Sequence, residues 1–398
     1  MSTHKASYWA MVLLVVAGLL IAGCGPAATE EPAPVEPAEP VATEAVAPEP
    51  VATEPPAPVV VRVAMTPFFD YQFFSVAKEY GWDKELGLDL QFTWLTQSGP
   101  SIEAMAAGSV DTVNTCVVCN FSFHEAVPEM MDFLTVNQYK GFVVIGRTGE
   151  AKAYADFLAE LGTPDAALKA TLEQFRGKTW PEYSANYGPL ISGMLSQADM
   201  TLDDITIVTF ADDEKAALAM IGGTGDFYMG GLPSEINLLQ NHPDEFVLIG
   251  GAELLGPAGL WYSQVAATDE WLAANEDAAL KLMAMSYRYN RYIQEKRDTV
   301  MPVVVEAMNA HSGTGTTAED LGFVFDTFLE FRTYQRDQET TYNPASPLYW
   351  AVSAEYYVGS STDLPAGFDY RLYNPLDEWF AKFLTRQDLL DWVDAPLT

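Results

Sequence analysis

The residues of this chain that could do chemistry fall into three groups. The first is a C-x-x-C pair, Cys116 and Cys119. Two such thiols can close a local disulfide, supply two metal ligands, or exchange disulfides where the pair opens a helix after a strand. Neither a second pair nor a histidine follows at zinc spacing, so a buried pair or a local disulfide fits better than a metal or redox centre. No metal and no cofactor is expected. The second group is aromatic and acidic: Phe68, Phe69 and Asp70, then Glu182, Tyr183 and Tyr187, then Trp261. Aromatic faces stack on flat ligands, and carboxylates accept hydrogen bonds from ring amines. The third group is small and polar: Thr66, Gln97, Ser98, Gly99, Thr115, Asn120, Ser184, Gly230 and Gly231, with Cys116 among them by position. These residues offer hydroxyl, amide and backbone donors. The histidines His124, His242 and His311 are scattered, and none stands at a recognisable spacing from a nucleophile. The chemistry expected is therefore binding, and the chain is read as not an enzyme.

Bringing these residues to one place requires an α/β scaffold. The β-branched run over 59–65 predicts a buried strand, broken by Thr66-Pro67 and followed by a helix over 71–80. Strands over 88–95 and 111–115 flank a short helix over 101–107, and further strands are expected over 131–136 and 141–146. A similar series restarts with a short strand over 178–181, a helix over 188–198 and a strand over 205–210. A helix over 212–221 and strands over 227–229 and 246–249 complete it. Strands alternating with helices predict mostly parallel sheets covered on both faces. An echo links the two series. Ala104-Met105-Ala106-Ala107-Gly108-Ser109-Val110-Asp111 and Ala219-Met220-Ile221-Gly222-Gly223-Thr224-Gly225-Asp226 each hold a helix end, a glycine able to take the left-handed cap, and an acid before an apolar strand. Residues 151–175 have helical spacing and form an elaboration between the lobes. A strand over 260–267 leads back to the first lobe, and late helices over 348–358 and 375–384 are expected on the outside. The expectation is two α/β lobes with mixed, mostly parallel sheets. One lobe is discontinuous, 59–143 plus 264–398; the other is 144–263; two crossover strands near 141–147 and 259–267 make the hinge.

In open α/β lobes, ligands bind at the carboxyl ends of strands beside helix N-termini. Two lobes set those ends across a cleft, and hinge closure buries the ligand. That rule selects the candidate residues named above. Each has a plain structural reading beside it. Phe68, Phe73 and Phe74 can serve the core. Asp70 can cap the helix from Tyr71 onward. Glu182 can be a solvated loop acid, and Trp261 can pack the hinge.

The chain opens with His4 and Lys5, an apolar run over 8–21, and then Ile21-Ala22-Gly23-Cys24. A basic start, an apolar stretch short for a bilayer span and small residues before a cysteine describe a lipoprotein signal over 1–23, with Cys24 lipidated. Residues 24–58 are rich in Pro, Ala, Val, Thr and Glu, with no Lys or Arg, and read as a disordered tether. The formal charge of −34 argues against nucleic acid and against a protein surface that binds anionic lipid. An extracytoplasmic, membrane-anchored monomer with a small-molecule partner is the expectation.

Several segments together resemble the solute-binding proteins of the nitrate, sulfonate, taurine and thiamine-precursor importers, the SsuA-like family. They are Val63-Ala64-Met65 with its aromatic loop, Val76-Ala77-Lys78-Glu79-Tyr80-Gly81-Trp82 with Glu85-Leu86-Gly87-Leu88, and the Ala104–Asp111 segment. In the second lobe they are Leu172-Glu173-Gln174-Phe175-Arg176-Gly177-Lys178 and Leu202-Asp203-Asp204-Ile205-Thr206-Ile207-Val208. The match covers most of 59–296. The resemblance implies a periplasmic-binding-protein-like fold and a role beside an ABC permease and ATPase. The departures are the insertion over 151–175 and Trp180-Pro181-Glu182-Tyr183-Ser184, where the family has a small Gly/Ser-rich turn. An aromatic cleft with Asp70 and Glu182 suits a planar heterocycle with N–H donors, such as a thiamine-type pyrimidine or a flavin. The alternative is an anion such as taurine, an alkanesulfonate or nitrate, held by Ser98, Gly99 and the helix behind them. Thiamine-pyrimidine synthases resemble the same fold but rely on a reactive histidine and lysine. A receptor that senses a solute without transporting it is a further alternative.

Overall fold

The computed structural model describes residues 57–397, apart from 96, 97, 118, 183, 212, 313, 314, 361–363 and 366. The signal segment, Cys24 and the tether as far as residue 56 lie outside the described residues, as do Gln97, Tyr183 and the side chain of Ser184. Eleven strands among the described residues follow one another as β1 (Val59–Met65), β2 (Leu88–Trp94), β3 (Thr112–Cys116), β4 (Met130–Tyr139), β5 (Val144–Arg147), β6 (Thr179–Glu182), β7 (Thr206–Thr209), β8 (Phe227–Tyr228), β9 (Phe246–Gly250), β10 (Trp261–Thr268) and β11 (Leu329–Glu330).

The first lobe is a six-stranded sheet in the order β11-β4-β10-β3-β1-β2. β1 pairs in parallel with β2 and β3, whereas β10 runs antiparallel to β3 and β4, and β11 antiparallel to β4. The second lobe holds an antiparallel trio, β8-β5-β9, and a parallel pair, β6-β7. The sheets are mixed, as expected, with more antiparallel pairing than the helix–strand alternation suggested. The reason is topological: β10 returns from the second lobe and enters the first sheet against the direction of its neighbours.

The echo between the lobes has a physical basis. Gly108 takes φ +67°, and Asp111 then donates its amide to the Arg62 carbonyl at 2.7 Å while its carboxylate accepts from the Arg62 amide at 2.7 Å. In the second lobe Gly223 and Gly225 take φ +91° and +93°. Asp226 donates its amide to the Thr179 carbonyl at 2.7 Å, and its carboxylate accepts from the Thr179 amide at 2.8 Å. A cation completes each, Arg62 at 2.5 Å and Lys178 at 3.2 Å. The same device joins a loop to a strand of each lobe's parallel pairing, β1 in the first and β6 in the second.

The long helix Glu276–Glu295 buries much of its length against the first sheet. Its Asn290 amide donates to the carbonyls of Val136 at 2.9 Å and Arg332 at 3.0 Å. Arg332 is 3% exposed and donates to Glu330 at 2.8 Å, Thr341 at 3.0 Å and the Tyr262 hydroxyl at 3.3 Å, and also to Gln138. One guanidinium thus fastens the C-terminal segment to β4 and β10, the strands at the hinge. The insertion forms two helices, Tyr154–Leu161 and Pro164–Glu173, separated at Gly162 with φ +74°.

The late helices differ from the expectation of an outer layer. Trp350, Ala351 and Ala354 are buried with Val117, Phe121 and Tyr262. Further along the same helix, Ala351–Ser360, Tyr357 donates to the Ala258 carbonyl at 3.3 Å. A Cβ on Gly193 would lie 2.3 Å from the Tyr356 hydroxyl. The helix therefore touches both lobes, because small alanines on one side and tyrosines on the other let it lie in the seam. The strand β11 was not anticipated, since two residues carry no readable period.

Replacing Arg332 tests the staple. Arg332→Met leaves Glu330 and the hydroxyls of Thr341 and Tyr262 without their buried donor, and is expected to cost about 3–5 kcal/mol in equilibrium urea unfolding. A loss under about 1 kcal/mol would show that apolar packing alone holds the C-terminal segment.

Candidate functional site

On the first lobe, β1 ends at Met65 and Pro67 stops the ladder. Residues Phe69–Tyr71 make a 3-10 turn, and the helix begins only at Phe73. Gln72 holds this turn by donating to the Phe68 carbonyl at 2.8 Å and the Thr66 carbonyl at 3.3 Å. Asp70 therefore sits inside the turn and is not the helix cap. Its carboxylate accepts from Ser263 at 2.5 Å, and its carbonyl accepts from Asn137 at 2.8 Å. Burial pushes the Asp70 carboxyl up to about 6, with the Ser263 hydroxyl opposing the rise. Next to it, Tyr71 donates to the Thr115 carbonyl.

On the second lobe, β6 delivers Glu182. It is fully buried, and neither carboxylate oxygen has a hydrogen-bond partner among the described residues. Burial, then the charge of Asp213, pushes Glu182 up to about 7. This overturns its reading as a solvated loop acid. Asp213 opens the helix Asp213–Ile221 and accepts from the Tyr187 hydroxyl at 2.9 Å. A Cβ on Gly231 would lie 2.8 Å from that same carboxylate, and one on Gly230 would lie 1.9 Å from the Tyr228 hydroxyl, so both positions demand glycine. Glu235, on the helix Leu232–Ile236, is fully buried and accepts from the Gly230 amide at 3.4 Å, a long contact. Burial raises its carboxyl well above the usual range, opposed by the Gly230 and Val143 amides and reinforced by Asp213.

Tyr139, at the end of β4, marks where the lobes meet. Burial raises its phenol, and so do the charges of Glu235, Asp70 and Asp213. One residue thus senses acids from both lobes. A Cβ on Gly141 would lie 2.6 Å from the Tyr139 ring and 2.9 Å from Leu232, so the crossover passes too close for any side chain. Phe142 stands 4.8 Å from the rings of both Tyr139 and Trp261, edge to face, and 6.2 Å from Tyr187. No described Lys or Arg contributes to the shifts of Asp70, Glu182 or Glu235.

Of the residues selected from sequence, Asp70, Glu182, Tyr187, Gly230, Gly231 and Trp261 come together around this seam. Thr66 accepts from Asn114 at 3.2 Å and Thr115 donates to Asn120 at 3.3 Å, so both serve the wall behind it. Asn120 also donates to the Tyr373 carbonyl at 3.2 Å. Cys116 and Cys119 form a disulfide, with Cα atoms 5.0 Å apart. Phe69 joins the first lobe's core with Phe73 and Phe74, and Phe68 packs against it. Ser98 and Gly99 open the helix Ser98–Ala106 and are half-buried. Sequence reasoning missed Asp213, Glu235, Tyr139, Phe142 and Tyr228. Asp213 follows β7 and obeys the strand-end rule that found the others. Tyr139 was lost because β4 runs three residues beyond its expected end, and Glu235 lies inside a helix, where a lone acid carries no signal.

Comparison with solved structures finds this architecture in periplasmic solute-binding proteins. The aliphatic sulphonate-binding protein SsuA of Escherichia coli aligns with a TM-score of 0.58 at 13% identity, over 79% of this chain and 92% of that one. The periplasmic sulfonate-binding protein SsuA of Methylobacillus flagellatus KT aligns at 0.59 and 15% identity, over 84% and 97%. The nitrate-binding protein NrtA of Synechocystis PCC 6803 aligns at 0.50 and 11% identity, over 85% and 90%. No protein-family model and no curated sequence matches the chain. At such identities the likeness is one of fold. The chain has the fold of the periplasmic binding proteins, two α/β lobes joined by crossover strands.

Proposed function

We propose that this protein is the extracytoplasmic solute-binding component of an ABC importer, closing two hinged lobes on a small planar heterocycle and handing it to a permease and its ATPase. The lobes on this reading are 59–143 plus 264–398 and 144–263, the anchor is a lipid on Cys24, and the protein works as a monomer. The observation that carries the proposal is the seam itself. Buried carboxylates and aromatic rings from both lobes converge there, with acceptor oxygens on Glu182 that nothing in the described protein satisfies. A buried acceptor without a donor is costly, and a guest with N–H groups removes that cost. A flat ring also finds edge and face partners in Phe142, Tyr187 and Trp261. A sulfonate or nitrate would bring its charge toward Asp70, Glu182 and Glu235, which favours the heterocycle over the anion.

Thermal-shift and calorimetric titration of aminopyrimidines and flavins, beside taurine, alkanesulfonates and nitrate, tests this reading. Stabilisation is expected from the heterocycles, and Glu182→Gln is expected to weaken binding about tenfold or more. Stabilisation by the anions alone would reverse the choice of ligand.

The raised acids also predict how the ligand-free protein responds to pH. Asp70 moves from an ordinary 3.8 to about 6 and Glu182 from 4.5 to about 7, so the folded state holds these protons more tightly than the unfolded chain. The stability this confers is complete below the ordinary carboxylate range and is lost as pH rises through the folded values. The melting temperature of the ligand-free protein is expected to fall between about pH 4 and pH 7, with a shallower fall in Glu182→Gln. A rise over that interval would show that the two acids are ionised in the folded state.

A further inference from the structure

We propose that the ligand is an organic cation, a flat group carrying delocalised positive charge and several N–H donors, held between Asp70 of the first lobe and Glu182, Asp213 and Glu235 of the second. The inference rests on the solute-binding reading and adds the sign of the ligand's charge. It follows from how the acids are distributed and what they lack. Glu182 and Glu235 are fully buried; both oxygens of Glu182 and one of Glu235 have no hydrogen-bond partner among the described residues. At least three buried carboxyl oxygens of the second lobe thus lack a partner among the described residues, and no described cation bears on Asp70, Glu182 or Glu235. A guest that donates on several sides satisfies them, and one that carries positive charge draws the carboxyls into their acceptor-only, ionised form. Amidinium, guanidinium and protonated aminopyrimidine groups have that pattern, whereas a sulfonate, a carboxylate or a neutral amide brings acceptors of its own.

The division of the acids between lobes gives the charge a mechanical consequence. A positive charge between the walls is attracted to carboxyls on both and draws them into their ionised form, which favours approach of the lobes. The aromatic residues complete the fit. Tyr187 donates to the Asp213 carboxylate at 2.9 Å and Tyr228 to the Asp213 carbonyl at 3.3 Å, while Phe142 packs between Tyr139 and Tyr187, so these rings stand beside the acids, and a flat cation is attracted to aromatic faces.

The test uses three isosteric planar probes that differ in charge: benzamidine as its cation, benzamide and benzoate. Each is titrated into the full chain at pH 7.5, followed by thermal shift, with the radius of gyration from small-angle X-ray scattering reporting closure. Benzamidinium is expected to stabilise and compact the protein, benzamide to act at least tenfold more weakly, and benzoate to do nothing. Glu182→Gln and Asp213→Asn, each checked to melt cooperatively without ligand, are expected to weaken benzamidinium at least tenfold while narrowing its advantage over benzamide. A preference for benzoate, or equal action of benzamide and benzamidinium with closure, overturns the cation but leaves a solute-binding protein. No stabilisation and no compaction with any probe, repeated with the heterocycle and sulfonate panels, overturns both readings.

Discussion

Carboxylates cannot share a dry space in ionised form without a counter-charge, and the seam between the two lobes gathers four of them. Asp70, Glu182 and Glu235 are buried there, Asp213 is half-buried, and the first three respond by holding their protons far above the ordinary range. Much of the remaining structure can be understood as what keeps these groups in place despite their mutual repulsion. Ser263 and Asn137 hold Asp70 through its carboxylate and its carbonyl. Tyr187 holds Asp213, and the bare Cα of Gly231 lets the second-lobe backbone approach it. The cluster is a local conflict tolerated by a well-satisfied scaffold, the pattern expected where a protein binds something.

That scaffold is well bonded within each lobe, and one buried apolar cluster runs from the first lobe's Phe73 and Tyr292 to Ile145, Met220, Tyr228 and Leu232 of the second. Each lobe fastens a glycine-bearing loop to a strand of its parallel pairing, β1 or β6, through an aspartate that bonds the strand's backbone and a cation at once, Asp111 with Arg62 and Asp226 with Lys178. The repeated device supports the view that the lobes are variations on one unit. Between them run the crossover at Gly141 and the return into β10, and a C-terminal helix lies along the seam with its tyrosines on the second lobe. Arg332 anchors the segment that leads to this helix onto β4 and β10.

The disulfide between Cys116 and Cys119 belongs to the first lobe's wall. It lies just past Thr115, whose carbonyl accepts from Tyr71, the neighbour of Asp70. A cross-link at that point restrains the loop after β3, and with it the turn that carries Asp70. Sequence spacing left the pair open between a disulfide and a buried thiol pair; proximity in the fold resolved it.

How far the sequence alone reaches can be read from particular residues. The β-branched run before Thr66, the helix–glycine–acid echo and the apolar run into β10 specify local structure through near neighbours, so the two-lobe fold was legible. Asp70, Tyr187, Gly230 and Gly231 were legible as site candidates for the same reason, since strand ends can be found without knowing what they face. Other features required the tertiary structure. Whether Glu182 is solvated or buried depends on the other lobe and on Asp213, residues distant in the chain. Tyr139 and Glu235 meet only when the lobes meet, and the late helix became a bridge because of what lies beneath it. Local propensity acts over a few residues, whereas burial and electrostatic coupling are properties of the assembled chain. The sequence by itself determined the parts and their order; the folded molecule decided which acids would be buried and what would face them.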